Sequence, residues 1–126
     1  MTTVQADHLP HILVIDDNRE ILSTLDIILQ RKSYRVSTKE RLDDVLKSIR
    51  DIKPDLILLD KSLGWADGCD VCRQIKSDTE LAHTPVIIFS AYYKKRDECI
   101  AAGADGFVEK PFAIHDLLNA IAVCLA

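Results

Sequence analysis

Long apolar runs are missing from this sequence. Pure apolar runs such as residues 56–59 fall far short of the roughly 18 residues that a membrane span requires. The first ten residues carry Asp7 and lack the basic start and apolar core of a signal peptide. A cytoplasmic chain with no membrane partner is therefore expected. Basic charge is not in excess: 16 Lys and Arg stand against 20 Asp and Glu, a net charge of −4. Nucleic acid demands the opposite sign, so no direct nucleic-acid binding is expected. The one basic cluster, Lys94, Lys95 and Arg96, reads as a solvated helix start. Glycine and proline are scarce at four each, and there is no linker, repeat or low-complexity segment. Cysteine is limited to Cys69, Cys72, Cys99 and Cys124. Cys69 and Cys72 form a C-x-x-C, but no second ligand pair completes a zinc site. A redox C-x-x-C would open a helix directly after a strand, and here a long loop intervenes. Free, partly buried thiols are expected. At 126 residues the chain is the size of one domain and needs no disulfide or metal staple to fold.

What is present is a regular alternation. Ile12, Leu13, Val14 and Ile15 form a run too short for a helix and rich in β-branched residues, as in a buried strand. Ile21, Leu22, Leu25, Ile28 and Leu29 follow at helical spacing. Tyr34, Val36 and Thr38 alternate with polar residues like an edge strand; Leu42, Val45, Leu46 and Ile49 read as a second helix. Residues 56–59 are a second apolar strand, and Val71, Cys72 and Ile75 mark a third helix. Residues 86–89 are another buried strand; Cys99 and Ile100 lie on a fourth helix that Gly103 stops. Phe107 and Val108 make a short strand, and Ile114, Leu117, Leu118, Ile121 and Leu125 a last helix.

Strand followed by helix five times implies an α/β fold, a single doubly wound five-stranded parallel sheet with helices on both faces. Placing the two least apolar strands at the edges gives the order 2-1-3-4-5 of the flavodoxin-like (βα)5 arrangement. In such sheets ligands bind beyond the carboxyl ends of the strands, where the strand order reverses. The residues at those ends are Asp16 and Asp17, Asp60, Ser90, and Lys110. One acid after a strand is usually a helix cap. Three acids converging on one crevice repel one another, and a hard divalent cation relieves this best. Mg²⁺ suits the set, because it needs only one or two protein carboxylates alongside water and a phosphoryl oxygen. Asp16-Asp17 replaces the glycine-rich phosphate loop of a nucleotide or flavin site. A metal-loaded pocket with a spare carboxylate suits aspartyl-phosphate chemistry.

The acid pair Asp16-Asp17, then Asp60, Asp67-Gly68, Ser90-Ala91, Gly103-Ala104-Asp105 and Lys110-Pro111-Phe112 resemble, in order and spacing, the receiver domain of bacterial two-component response regulators. The resemblance runs over residues 10 to 125 and implies a receiver domain at 10–126 behind an N-terminal extension of residues 1–9. It implies that Asp60 is the phosphoacceptor and that the domain catalyses its own phosphorylation and slow dephosphorylation. It implies Mg²⁺, with Mn²⁺ as a substitute, held by Asp16 (mainly through water), Asp17, Asp60 and the backbone carbonyl of Ser62. Lys110 would pair with Asp60 and then with a phosphoryl oxygen, and the Lys110-Pro111 bond would be cis. Ser90 and Phe107 would be the switch pair. The implied donor is a sensor histidine kinase or phosphotransfer protein. The implied effector surface is the face of the fourth helix, fifth strand and fifth helix.

Three departures from the family pattern stand out. Gly64 replaces the usual proline after the phosphoacceptor, which implies a loop that is more mobile without metal. Phe107 lacks the hydroxyl of the commoner tyrosine. Gly106-Phe107 also differs from the acidic-acidic-aromatic run of receivers joined to winged-helix DNA-binding domains. Trp65, the single tryptophan, is expected to be partly exposed in the loop after Asp60. Two other classes compete with the phosphorylation switch. A non-phosphorylated receiver-like scaffold typically loses an acid or the lysine, and here all are kept. An aspartyl-phosphate phosphohydrolase would want a second acid two positions after its nucleophile, where this chain has Ser62.

Overall fold

The computed structural model describes residues 9–126, apart from the side chain of Tyr93. The expected N-terminal extension lies outside the described residues except for its last position. The elements are β1 (His11–Ile15), α1 (Arg19–Arg31), β2 (Arg35–Lys39), α2 (Val45–Ile52), β3 (Leu56–Asp60), α3 (Gly68–Ser77), β4 (Val86–Ser90), α4 (Arg96–Ala101), β5 (Gly106–Glu109) and α5 (Ile114–Leu125), with a 3-10 turn at Tyr93–Lys95 before α4.

All strand pairs are parallel and the order is β2-β1-β3-β4-β5, as the apolar content of the strands implied. Every residue of β3 and β4 is buried, whereas β2 has none buried and β5 only Val108. The central strands can be apolar throughout because each of their faces meets a layer of helices. Alternation along the strands divides the core accordingly. Ile12 and Val14 of β1 and Leu56 and Leu58 of β3 pack with Leu25 and Leu29 of α1 and Leu117 and Ile121 of α5. Leu13, Ile15, Ile57 and Leu59 pack on the other side with Ile49 of α2, Cys72 and Ile75 of α3, and Cys99 of α4.

The helix starts follow capping chemistry. Asn18 accepts the Glu20 and Ile21 N–H groups at the start of α1; Asp44 caps α2, and Asp67 caps α3 by accepting the Cys69 N–H. The Asp44 cap moves the start of α2 past Leu42, which was expected inside it. Leu42 is nevertheless buried, reaching the core from the preceding connection. The cysteine reading also needs correction. Cys69, Cys72 and Cys99 are fully buried rather than partly so, whereas the expected loop does separate the C-x-x-C, in the first turns of α3, from β3. All four thiols are free.

Candidate functional site

The parallel register carries the ends of β1, β3, β4 and β5 to one edge of the sheet. Asp60, the last residue of β3, is paired with Phe89 of β4, and Ser90 is paired with Glu109 of β5. The Lys110 N–H donates to the Ser90 carbonyl at 2.7 Å, so the chain past β5 is held beside the end of β4. The Lys110–Pro111 bond is cis.

These constraints gather the three acids: carboxylate oxygens of Asp16, Asp17 and Asp60 all lie within 4.8 Å of one another. Asp16 and Asp60 are buried, while Asp17 faces solvent. The Lys110 Nζ enters from β5 and lies 3.0 Å from Asp16 Oδ2 and 3.4 Å from Asp60 Oδ2. The lysine thus leans toward Asp16 more than toward Asp60. It also sits 4.8 Å from the centre of the Phe89 ring. Asp16 Oδ1 accepts the Asn18 N–H at 2.8 Å and Asp60 Oδ1 accepts the Ser62 N–H at 3.2 Å. Ser90 is buried, and its Oγ accepts the Tyr92 N–H at 3.0 Å. Phe107 is half-buried and packs against the α2–α3–α4 side of the core. Ser62 is exposed and pairs antiparallel with Asp67 across the β3–α3 connection.

That connection is tied back on itself by backbone hydrogen bonds. Leu63 N–H donates to Ala66 O at 3.2 Å and Gly68 N–H donates to Lys61 O at 2.7 Å. Gly64 takes the left-handed conformation (φ 78°), and a Cβ there would stand 3.0 Å from Asp17 Oδ2. Glycine lets the loop close over the acid pair. Trp65 is half-buried: its Nε1 donates to the Glu40 carbonyl at 2.9 Å and the Arg41 guanidinium lies 5.9 Å from its ring.

Burial, and then the neighbouring Asp16 carboxylate, push the Asp60 carboxyl up to about 6, against the opposing pull of Lys110. A carboxyl whose pKa rises on folding contributes stability below its unfolded value near 4. That contribution is lost as pH climbs through the folded value near 6. In metal-free buffer Asp60→Asn is therefore expected to be more stable than the parent by about 2 kcal/mol at neutral pH. The difference should shrink toward zero as pH falls to about 4. Urea unfolding across this range with a chelator present checks it, and a gain of the same size at both ends would contradict the charge explanation.

Lys61 was not singled out in the sequence. It is buried, with its Nζ 2.6 Å from Asp67 and 3.7 Å from Glu98 of α4. Burial works to lower its pKa, but the Asp67 hydrogen bond and both acidic charges leave it raised. A signal was available. Ile57 and Leu59 face the α3–α4 side, and the alternation of β3 carries Lys61 to the same side.

The donor set fits a hard divalent cation. Three carboxylates face one ammonium, and the converging atoms are oxygens, as Mg²⁺ requires. A doubly wound parallel sheet with an acid cluster at its switch point places the chain in the class of α/β domains that bind their ligand beyond the carboxyl ends of the strands. The family description "response regulator receiver domain" matches residues 12–122, and the chain belongs to that family of two-component signal transduction. It is 37% identical over 105 residues to the transcriptional regulatory protein AfsQ1 of Streptomyces coelicolor, covering 82% of this chain and 45% of that one. The chain thus spans about half the length of the curated relatives it matches. A response regulator from Chloroflexus aurantiacus superposes with a TM-score of 0.87 at 21% identity, over 93% of this chain and 98% of the other. The response regulator TrrA of Thermotoga maritima, solved in complex with Mg²⁺ and beryllium fluoride, gives 0.83 at 27% identity, over 93% and 100%.

Proposed function

We propose that Asp60 is the phosphoacceptor of a His-to-Asp phosphorelay, working with Mg²⁺ (or Mn²⁺) in the cytoplasm. The observation that carries this is the convergence of Asp16, Asp17 and Asp60 with the Lys110 ammonium at the switch point of the sheet. Asp16, Asp17, Asp60 and the Ser62 carbonyl would hold the cation. Bound there, Mg²⁺ supplies neutralisation of the charge on the acids and on phosphoryl oxygens.

The Asp60 carboxylate attacks phosphorus in line, an oxygen–phosphorus bond forms, and the bond to a partner's histidine nitrogen breaks. Lys110 has two carboxylates within reach, so transferring its contact to a phosphoryl oxygen leaves Asp16 still paired. Ser90 Oγ, at the end of the adjacent strand, donates to the phosphoryl group, and Phe107 turns inward as Ser90 moves. Water later attacks the acyl phosphate and resets Asp60. The partner is a sensor histidine kinase or phosphotransfer protein. The effector meets the α4–β5–α5 face, where Tyr92 and Ile100 are exposed.

Intact-protein mass spectrometry after incubation with acetyl phosphate tests this. A gain of one phosphoryl group that requires Mg²⁺, survives acid, is lost in base and is absent in Asp60→Asn is expected. Loss of the gain with Asp60 intact, tried also with phosphohistidine donors, would leave a scaffold that acts by binding alone.

A further inference from the structure

Two buried thiols lie in contact across the interface between α3 and α4. Cys69, in the first turn of α3, donates its S–H to Cys99 Sγ at 3.3 Å. The two residues are 30 apart in sequence, and both are fully buried. A disulfide needs sulfurs about 2.05 Å apart, so the two sulfurs have about 1.3 Å left to close. Cys99 also has a special place in α4. That helix is six residues long, lacks a side-chain cap, and buries Cys99 alone; its other five residues are exposed. The helix is therefore anchored through the very thiol that meets Cys69.

We propose that Cys69 and Cys99 form a reversible disulfide that pins α4 to the start of α3. The pairing is independent of phosphorylation. Its consequence, an effector face held in one setting, rests on the function proposed above.

In the closed fold the thiols are protected. Burial, and then the hydrogen bond to Cys99, push the Cys69 thiol up to about 12, and burial raises Cys99 as well. Reactivity follows opening of α4, a short helix with one buried side chain and so a low cost of local unfolding. Once α4 opens, Cys99 regains an ordinary thiol pKa of about 8.5. With a peroxide as oxidant, the Cys99 thiolate attacks one oxygen, the O–O bond breaks and water leaves after protonation, giving a sulfenic acid. As α4 closes, the Cys69 sulfur attacks the Cys99 sulfur, the S–O bond breaks, and a second water departs. Overall the two thiols give up two hydrogens and the peroxide becomes two waters. Lys61, between Asp67 and Glu98 beside this pair, joins α3 to α4 a second time and favours re-closure.

The test uses Cys124→Ala, because Cys124 is half-exposed and would react separately. After hydrogen peroxide and quenching, the unfolded chain should take up one maleimide rather than three, and a dithiol should restore all three. Peptide mapping should join Cys69 to Cys99, and the α4 amides should exchange hydrogen at least about tenfold more slowly. Adding Cys72→Ala should leave the link intact. The proposal fails if all three thiols stay free under conditions that oxidise free glutathione. It also fails if the link runs through Cys72 or between two chains, if Cys99 stops at sulfinic acid, or if α4 exchange is unchanged by the link.

Discussion

Gly68→Ala is expected to destabilise the protein by about 3 kcal/mol, lowering its melting temperature by about 10 °C. The cause is steric. The chain leaves β3 at Asp60, doubles back, and presents Gly68 at the start of α3 directly against the strand it has just left. A Cβ there would collide with the Asp60 carbonyl oxygen and stand 2.8 Å from Lys61 Cα and 3.0 Å from Asp60 C. These are backbone atoms at the end of a buried strand that is paired on both sides, and no side-chain rotation relieves them. The Gly68 N–H bond to Lys61 O, at 2.7 Å, draws the two segments together and would be stretched. Relief requires α3 to shift outward, which disturbs Cys69, Val71 and Cys72 in the core and the Asp67–Lys61 contact beside Asp60. Urea unfolding measures the loss directly. A change below about 1 kcal/mol would show that the first turn of α3 slides without cost, against the close packing seen at this point.

The distribution of what sequence reading captured follows from where the physical signal lies. β3 and β4 are buried on both faces, so their identity is written in uninterrupted apolar residues, and the sheet order followed from the weaker edges. Asp16, Asp60, Ser90 and Lys110 were legible because strand ends in a doubly wound sheet converge by topology, without knowledge of any side-chain contact. Relations between helices were not legible in this way. α4 buries one side chain, so its periodicity reveals little about which face meets α3. The thiol contact joins residues 30 positions apart, and the C-x-x-C spacing drew notice to Cys72 instead of Cys99. Lys61 was overlooked because a lysine next to an acid reads as solvated; only the alternation of β3 and the acids on two other elements account for its burial. The glycine at position 64 also has a packing role that its neighbours in sequence do not reveal, because only the folded loop brings it close to Asp17.

Asp17→Asn is expected to weaken Mg²⁺ binding about 100-fold, equivalent to about 2.7 kcal/mol, and to abolish phosphorylation by acetyl phosphate. Among the three acids Asp17 is the one that faces solvent, and no basic side chain lies within ion-pair distance of it among the described residues. Asp16 is already compensated by Lys110 and the Asn18 N–H, and Asp60 by Lys110 and the Ser62 N–H. The uncompensated carboxylate is the one with most to gain from a cation, and the amide that replaces it is isosteric but neutral. Folding should be nearly unaffected, because the residue is exposed and the substitution removes repulsion with two neighbouring acids. That separation makes the result informative. Titration calorimetry with Mg²⁺, alongside urea unfolding, should show lost affinity at unchanged stability. Unchanged affinity would remove Asp17 from the metal site and leave Asp16 and Asp60 to hold the cation. Lost affinity with phosphorylation intact would show instead that Lys110 alone offsets the charge on the phosphoryl oxygens, and the cation would have no place in the transfer.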